Sequence, residues 1–270
     1  MSKKKAFGTC HMCGQEKELC RAHLYPEFLK QYSGTNLKNG DNFLTITVDR
    51  KRVTPSQTLE YDQSILCHAC DNDVLGTYDT ALSLAFKDVQ EIISQHQLNP
   101  NEKLSCSITH SNEKIALALI ANLYRFSISK RCPGFKLAKR WEERFKGWCK
   151  ARYLPENFDS YVDIRIVAIS KHEWSLENIL IAEPIISKVT PNVVVIGQLL
   201  FGFYAKMTIR ELPWPYQSKK EFPRLRKSCS EKIDFPLVSY DELDPNLALI
   251  ADSIRVLNER PPRKSRPTSR

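Results

Sequence analysis

The chain has 270 residues, 42% hydrophobic and 26% charged, with 40 Lys+Arg against 31 Asp+Glu and a net charge of +9. This composition excludes a disordered chain and a small disulfide-stapled scaffold, and the length suits one large or two modest domains. It also excludes a membrane span: the longest nearly apolar run, Val193 to Ala205, is broken by Gly197, Gln198 and Gly202 and falls short of the roughly 20 residues a spanning helix needs.

The opening residues Met1-Ser2-Lys3-Lys4-Lys5 carry charge, but no apolar stretch of a secretory signal follows, so the expected location is the reducing cytoplasm. Disulfides then do not account for nine cysteines: Cys10, Cys13, Cys20, Cys67, Cys70, Cys106, Cys132, Cys149 and Cys229. Four of them form two C-x-x-C pairs, Cys10-His11-Met12-Cys13-Gly14 and Cys67-His68-Ala69-Cys70. In the first, a tight turn aims two thiolates at one metal and the following Gly admits the unusual backbone angles. Two such pairs match a closed, tetrahedral structural Zn2+ site with Zn–S distances of about 2.3 Å. A second grouping, Cys10, Cys13, Cys20 and His23, also has ligand spacing but leaves Cys67 and Cys70 unexplained. His11 and His68, inside the pairs, are expected to face solvent.

After the first pair, Phe43 to Val48 is β-rich, Asp49 to Arg52 reads as a turn, and Thr58 to Leu66 returns toward Cys67. Residues 41–66 are thus expected to be a hairpin inserted between the halves of the metal site, which zinc itself closes. From Asp71 the period becomes helical, with Leu82, Ala85, Phe86, Val89, Ile92 and Ile93 on one face and an end before Asn99-Pro100. Ser111 is the expected N-cap of a helix over Asn112 to Ser129 that is apolar on nearly all sides and therefore central. A third helix, about Phe135 to Tyr153, places Leu137, Trp141, Phe145 and Trp148 on one stripe. Lys136, Lys139, Arg140, Lys146 and Lys150 lie largely off that stripe, as a basic face.

Past Pro155 the pattern is strand-like, through Val162 to Ala168, Ile179 to Ile186 and Val193 to Ile209, and predicts a mostly antiparallel sheet. Residues 211–245 read as irregular, Asn246 to Leu257 as one last short helix, and the five basic residues between Arg260 and Arg270 as a disordered tail. The fold class is α+β. Its expected parts are an N-terminal zinc module with an inserted hairpin (1–80), a helical region (81–155), an α+β region with antiparallel strands (156–257) and a disordered basic tail (258–270).

Between the two pairs lies Arg21-Ala22-His23-Leu24-Tyr25-Pro26. The ordered combination of Cys-x-x-Cys-Gly, Ala-His-x-x-Pro and Leu-Cys-x-x-Cys-Asp, over residues 7–80, resembles the HNH endonucleases of the ββα-metal, treble-clef class. The resemblance implies that Cys10, Cys13, Cys67 and Cys70 hold a structural zinc and that His23 is the general base. That base takes a proton from the water that attacks a phosphodiester, while a nearby Mg2+ or Mn2+ stabilises the leaving oxygen. Two positions depart from the family. Ala22 stands where Asp, Glu or His commonly ligates the catalytic metal, and Gln63 or Ser64 where Asn is frequent.

Asp71, Asn72, Asp73 and Asp79 are the candidates for the remaining ligands, Asp71 foremost, although capping a helix selects the same residue types. Tyr25, Tyr61 and Tyr78 are further side chains within reach of the site in sequence. Positive charge clusters downstream: residues 130–152 hold nine Lys or Arg against Glu142 and Glu143, and residues 206–227 hold seven against Glu211 and Glu221. A basic footprint beside a zinc module points to a nucleic acid, DNA first. The expected function is therefore an HNH-like, metal-dependent nuclease, a class that often serves restriction or phage defence. The alternative is a noncatalytic, zinc-stabilised nucleic-acid-binding or interaction protein with a degenerate site.

Overall fold

The computed structural model describes residues 6–32, 43–47, 52–56, 61–95, 103–107, 111–169, 180–182, 184–200, 203–211, 225, 227 and 232–238. The expected last helix at 246–257, the basic tail, and His96, His110 and His172 lie outside them.

Strands β1 (Ala6–Thr9) and β2 (Glu16–Leu19) form an antiparallel ribbon, Ala6 opposite Leu19 and Thr9 opposite Glu16. The turn between them carries Cys10 and Cys13. It closes with Gly14 N–H donating to the Cys10 carbonyl at 2.8 Å, and Gly14 has φ 75°, a left-handed angle that favours glycine. His11 N–H donates to the Ile65 carbonyl and Cys20 N–H to the Leu66 carbonyl, so the chain before Cys67 lies against the ribbon. β3 (Ala22–His23) pairs antiparallel with β6 (Tyr61–Asp62), His23 opposite Tyr61, and a short 3-10 helix follows at Glu27–Tyr32. A wide π-helical turn, Ala69–Leu75, leads into α1 (Gly76–Gln95).

The hairpin between the cysteine pairs is present with a different return strand. β4 (Phe43–Thr47) pairs with β5 (Arg52–Ser56), not with 58–66. Pro55 obscured β5 in the sequence, and it is tolerated because β5 is the edge strand of its sheet. Nor is the hairpin an isolated insertion, for β4 also runs parallel to β9 (Leu180–Ala182).

Central helix α2 (Asn112–Ile128) begins where predicted, with Ser111 Oγ accepting from Lys114 N–H, and almost every residue along it is buried. It packs against α1 on one side and against α3 (Lys139–Ala151) on another. α3 starts later than expected, so Leu137 and Lys136 precede it, yet the aromatic stripe holds: Trp141 and Phe145 are buried and Trp148 packs against them. Phe126 of α2 meets Tyr25 edge-on at 4.9 Å and Phe135 at 6.2 Å. One cluster of buried side chains thus runs from Cys10 through α2 to the sheet.

After a one-turn helix α4 (Phe158–Tyr161), β8 (Val162–Ile169), β10 (Ile185–Thr190), β11 (Val193–Leu200) and β12 (Phe203–Arg210) form the expected antiparallel sheet, in spatial order β10-β11-β12-β8. The expectation of irregular chain over 211–245 is corrected by β13 (Lys232–Val238), which pairs antiparallel with β7 (Lys103–Ser107) and parallel with β8. Pro236 made this stretch read as irregular. In the structure it falls where β13 changes partner, as the last residue opposite β7, facing Lys103, just before Leu237 joins β8. The architecture is α+β as expected, with helices in the centre, an antiparallel sheet toward the C-terminus and the cysteine pairs at the N-terminus. Among the described residues no helix is long and apolar enough to cross a membrane.

Candidate metal centre and acidic cavity

The ribbon turn and the start of the π-helical turn bring Cys10, Cys13, Cys67 and Cys70 together, with their sulfurs all within 4.8 Å of one another. A zinc tetrahedron with Zn–S near 2.3 Å needs sulfurs about 3.8 Å apart, so this donor set fits a structural metal ion. Cys67 N–H points at Cys10 Sγ from 3.4 Å. Burial opposes ionisation of Cys10, but backbone N–H groups of Cys13, Cys67 and Met12 outweigh it and bring the thiol down to about 7. Burial and the neighbouring sulfurs push Cys70 up, and burial does the same to Cys67. A dication would offset the mutual repulsion of thiolates gathered this closely. His11 and His68 are exposed, as expected.

Cys20 stands outside this group. Its Sγ donates to Asp71 Oδ2 at 3.8 Å, and burial together with the Asp71 charge pushes it up to about 12. Among the described residues the fold therefore gathers the two pairs, not Cys10, Cys13, Cys20 and His23.

His23 and Asp71 line one cavity of about 280 Å³ together with Glu27, Asn72, Asp79 and Arg125. Glu27 Oε1, four positions along the chain, lies 4.0 Å from His23 Nε2. Asp71 directly follows Cys70, so the ligand pair that closes the metal site also sets where this carboxylate stands. Asp71 is 6% exposed. Burial raises its carboxyl above the ordinary range, with Asp79 adding to the rise and Arg125 and His23 opposing it. Both oxygens of Asp79 accept from the Arg125 guanidinium, at 2.9 and 2.8 Å. Asp73 is exposed, and its carbonyl accepts from Arg152.

The other sequence candidates take structural roles. Ala22 is fully buried and offers no ligand atom. Ser64 donates through N–H and Oγ to Asp62 Oδ1 at 2.8 and 2.6 Å. Tyr25 packs on Phe126, the Arg21 guanidinium covers the Tyr61 ring at 3.6 Å, and Tyr78 Oη donates to the Cys149 carbonyl at 2.7 Å. Lys136 lies before α3 rather than on its basic face, and its Nζ donates to the carbonyls of Ser127 and Ser129 at the end of α2. Arg140 pairs with Glu211 and Lys146 with Glu143, while Lys139 and Lys150 are exposed on α3.

Arg125 escaped the sequence reading. It is the sole charged residue between Ile115 and Ser129, and a lone charge on a helix apolar all round demands a buried partner; that was the available signal. No protein-family model, curated protein or solved structure matches the chain.

Proposed function

We propose that this protein is an HNH-like, metal-dependent nuclease acting on phosphodiester bonds, DNA first, with His23 as general base. The observation that carries the reading is that His23 and Asp71 line one cavity, Asp71 standing next in sequence to Cys70 of the four-cysteine centre. The cysteines hold zinc as a structural ion. In the cavity, Asp71, with Asn72 beside it, holds Mg2+ or Mn2+, hard cations that take carboxylate and amide oxygens. When bound, that ion supplies positive charge for a developing oxyanion. His23 takes the proton of the attacking water, and Glu27 favours the imidazolium that results. Exposed Lys139 and Lys150 contribute phosphate contacts. A reducing cytoplasm keeps the thiols available to metal.

Buried Ala22 and the full engagement of Asp79 with Arg125 favour the second reading, a zinc-stabilised nucleic-acid-binding protein that does no chemistry. Plasmid incubated with zinc-loaded protein and Mg2+ or Mn2+ separates the two. The nuclease reading expects nicking by the wild type and its loss in His23→Ala. Wild type that nicks under neither ion, or a variant that nicks equally, leaves the noncatalytic reading.

A further inference from the structure

Arg125 comes to the cavity from α2, a helix outside the stretch that carries every cysteine and histidine of the site. Its side chain is 2% exposed. A guanidinium at that depth persists only with its charge paired. The fork Nη1 and Nη2 takes both oxygens of Asp79, and Nε lies 3.4 Å from Asp71 Oδ1. Asp79 is thereby committed to Arg125. Asp71 is held to Arg125 by the ion pair alone: its Oδ2 meets the Cys20 thiol, and its buried Oδ1, though 3.4 Å from Nε, accepts no hydrogen bond.

We infer that Arg125 is the positioning residue of this cavity: it uses Asp79 as an anchor and holds Asp71 toward His23 as the one carboxylate from that turn and helix left to ligate a divalent cation. The inference rests on the proposed reading of the cavity and narrows its candidates, since Asp79 serves the arginine and Asp73 is not among the residues that line the cavity. The charge arithmetic agrees. Two carboxylates, Asp71 and Asp79, around one fixed guanidinium leave a single negative charge for the cation, and Glu27 adds another at the rim, 61% exposed. An ion pair that served stability alone would need only Asp79, whose geometry is already bidentate. The approach of Nε to Asp71 is what ties the pair to the site.

The test uses the full, zinc-loaded chain and reads Mn2+ binding by electron paramagnetic resonance, apart from any activity. Wild type is expected to bind Mn2+ at a site abolished by Asp71→Asn. The double variant Arg125→Met, Asp79→Leu removes both charges and keeps the volume filled. With zinc content and a cooperative melt retained, it should bind Mn2+ roughly tenfold to a hundredfold more weakly, the range for losing a partner that orients a ligand. Arg125→Lys, which keeps the charge without the fork, should also weaken binding, by a smaller factor, and decides the matter should the double variant fail to hold zinc. A folded variant binding Mn2+ like wild type overturns the assignment, as does wild type showing no Asp71-dependent Mn2+ site. Binding that follows the expected order in a protein that nicks no DNA removes the nuclease reading and leaves Arg125 in its role. Nicking by the double variant at the wild-type rate does the reverse.

Discussion

Ser129 Oγ donates to Asp62 Oδ2 at 2.8 Å across 67 positions of sequence, joining the strand beside His23 to the end of the helix that carries Arg125. Lys130 N–H adds a bond to the same oxygen at 3.1 Å, and Ser64 supplies two to the other. Because Ala22 and His23 pair with Asp62 and Tyr61, this carboxylate fixes the base's strand against α2. Arg125, one turn before Ser129, fixes the carboxylates on the opposite wall. One end of α2 thus holds both sides of the cavity.

Replacing Asp62 by Ala should cost about 3 kcal/mol, since it strips a buried carboxylate's hydrogen bonds and leaves their donors unmet. The effect has a pH signature. Burial alone would raise this carboxyl, but the donors from Ser64, Ser129 and Lys130 outweigh it and hold Asp62 below the ordinary carboxylate range. A depressed folded value means the stabilisation is complete above the unfolded value, near 4, and is lost as pH falls through the folded one. Urea midpoints of wild type and Asp62→Asn between pH 7 and pH 3 should therefore converge at the acid end. A constant gap across that range contradicts the account.

The cysteine centre predicts about one zinc per chain by elemental analysis. Cys67→Ser should release most of it, and chelation of the wild type should lower the melting temperature by roughly 10 °C or more, as expected when metal binding supplies several kcal/mol to folding. The dependence should be local in sequence: Cys149→Ser, at a buried thiol beside α2 rather than in the cluster, should leave the zinc content unchanged. Well-folded wild type without metal would remove the centre.

Arg125 and Asp79 should show strong coupling in stability. Arg125→Ala leaves buried Asp71 and half-buried Asp79 without their cation and should cost about 3 kcal/mol, and Asp79→Ala nearly as much, because it strands the buried guanidinium. The double variant should be far less damaging than the sum, with a coupling energy of about 2 kcal/mol or more. Additive single effects would mean that the guanidinium finds its compensation elsewhere.

These relationships separate what the sequence displays from what it conceals. The C-x-x-C pairs, the Ser111 cap and the Trp141, Phe145, Trp148 stripe were legible because each is a short-range pattern with one physical cause: ligand spacing, an orphan N–H, or helical period. The pairing of β4 with β9 and of β13 with β8 was not, since long-range register leaves no local mark and Pro55 and Pro236 disguised two of the strands. The site was half legible. His23 and Asp71 belong to a local motif, whereas Asp79 lies 46 positions from Arg125, and Ser129 and Lys130 lie 67 and 68 from Asp62. Their signal was energetic rather than periodic: a charged side chain in an apolar surround has to be answered by something.

The same reasoning sorts the basic residues around α3 and predicts how nucleic acid would respond. Lys139 and Lys150 are eleven positions apart, about three turns, and so lie on nearly one face of the helix, both exposed. Lys136 is engaged with the last carbonyls of α2, Arg140 with Glu211 and Lys146 with Glu143. If α3 contacts phosphates, Lys139→Ala with Lys150→Ala should weaken duplex DNA binding and make the slope of log affinity against log salt shallower by about 2, one per lost phosphate contact. Lys136→Ala should lower thermal stability, by uncapping α2, and leave that slope unchanged. Fluorescence anisotropy from 50 to 200 mM salt, over which two phosphate contacts are worth roughly tenfold in affinity, measures the slope, and a thermal melt measures the stability. A slope that ignores the Lys139 and Lys150 pair would show that this face of α3 is merely solvated and that any nucleic acid engages the chain elsewhere.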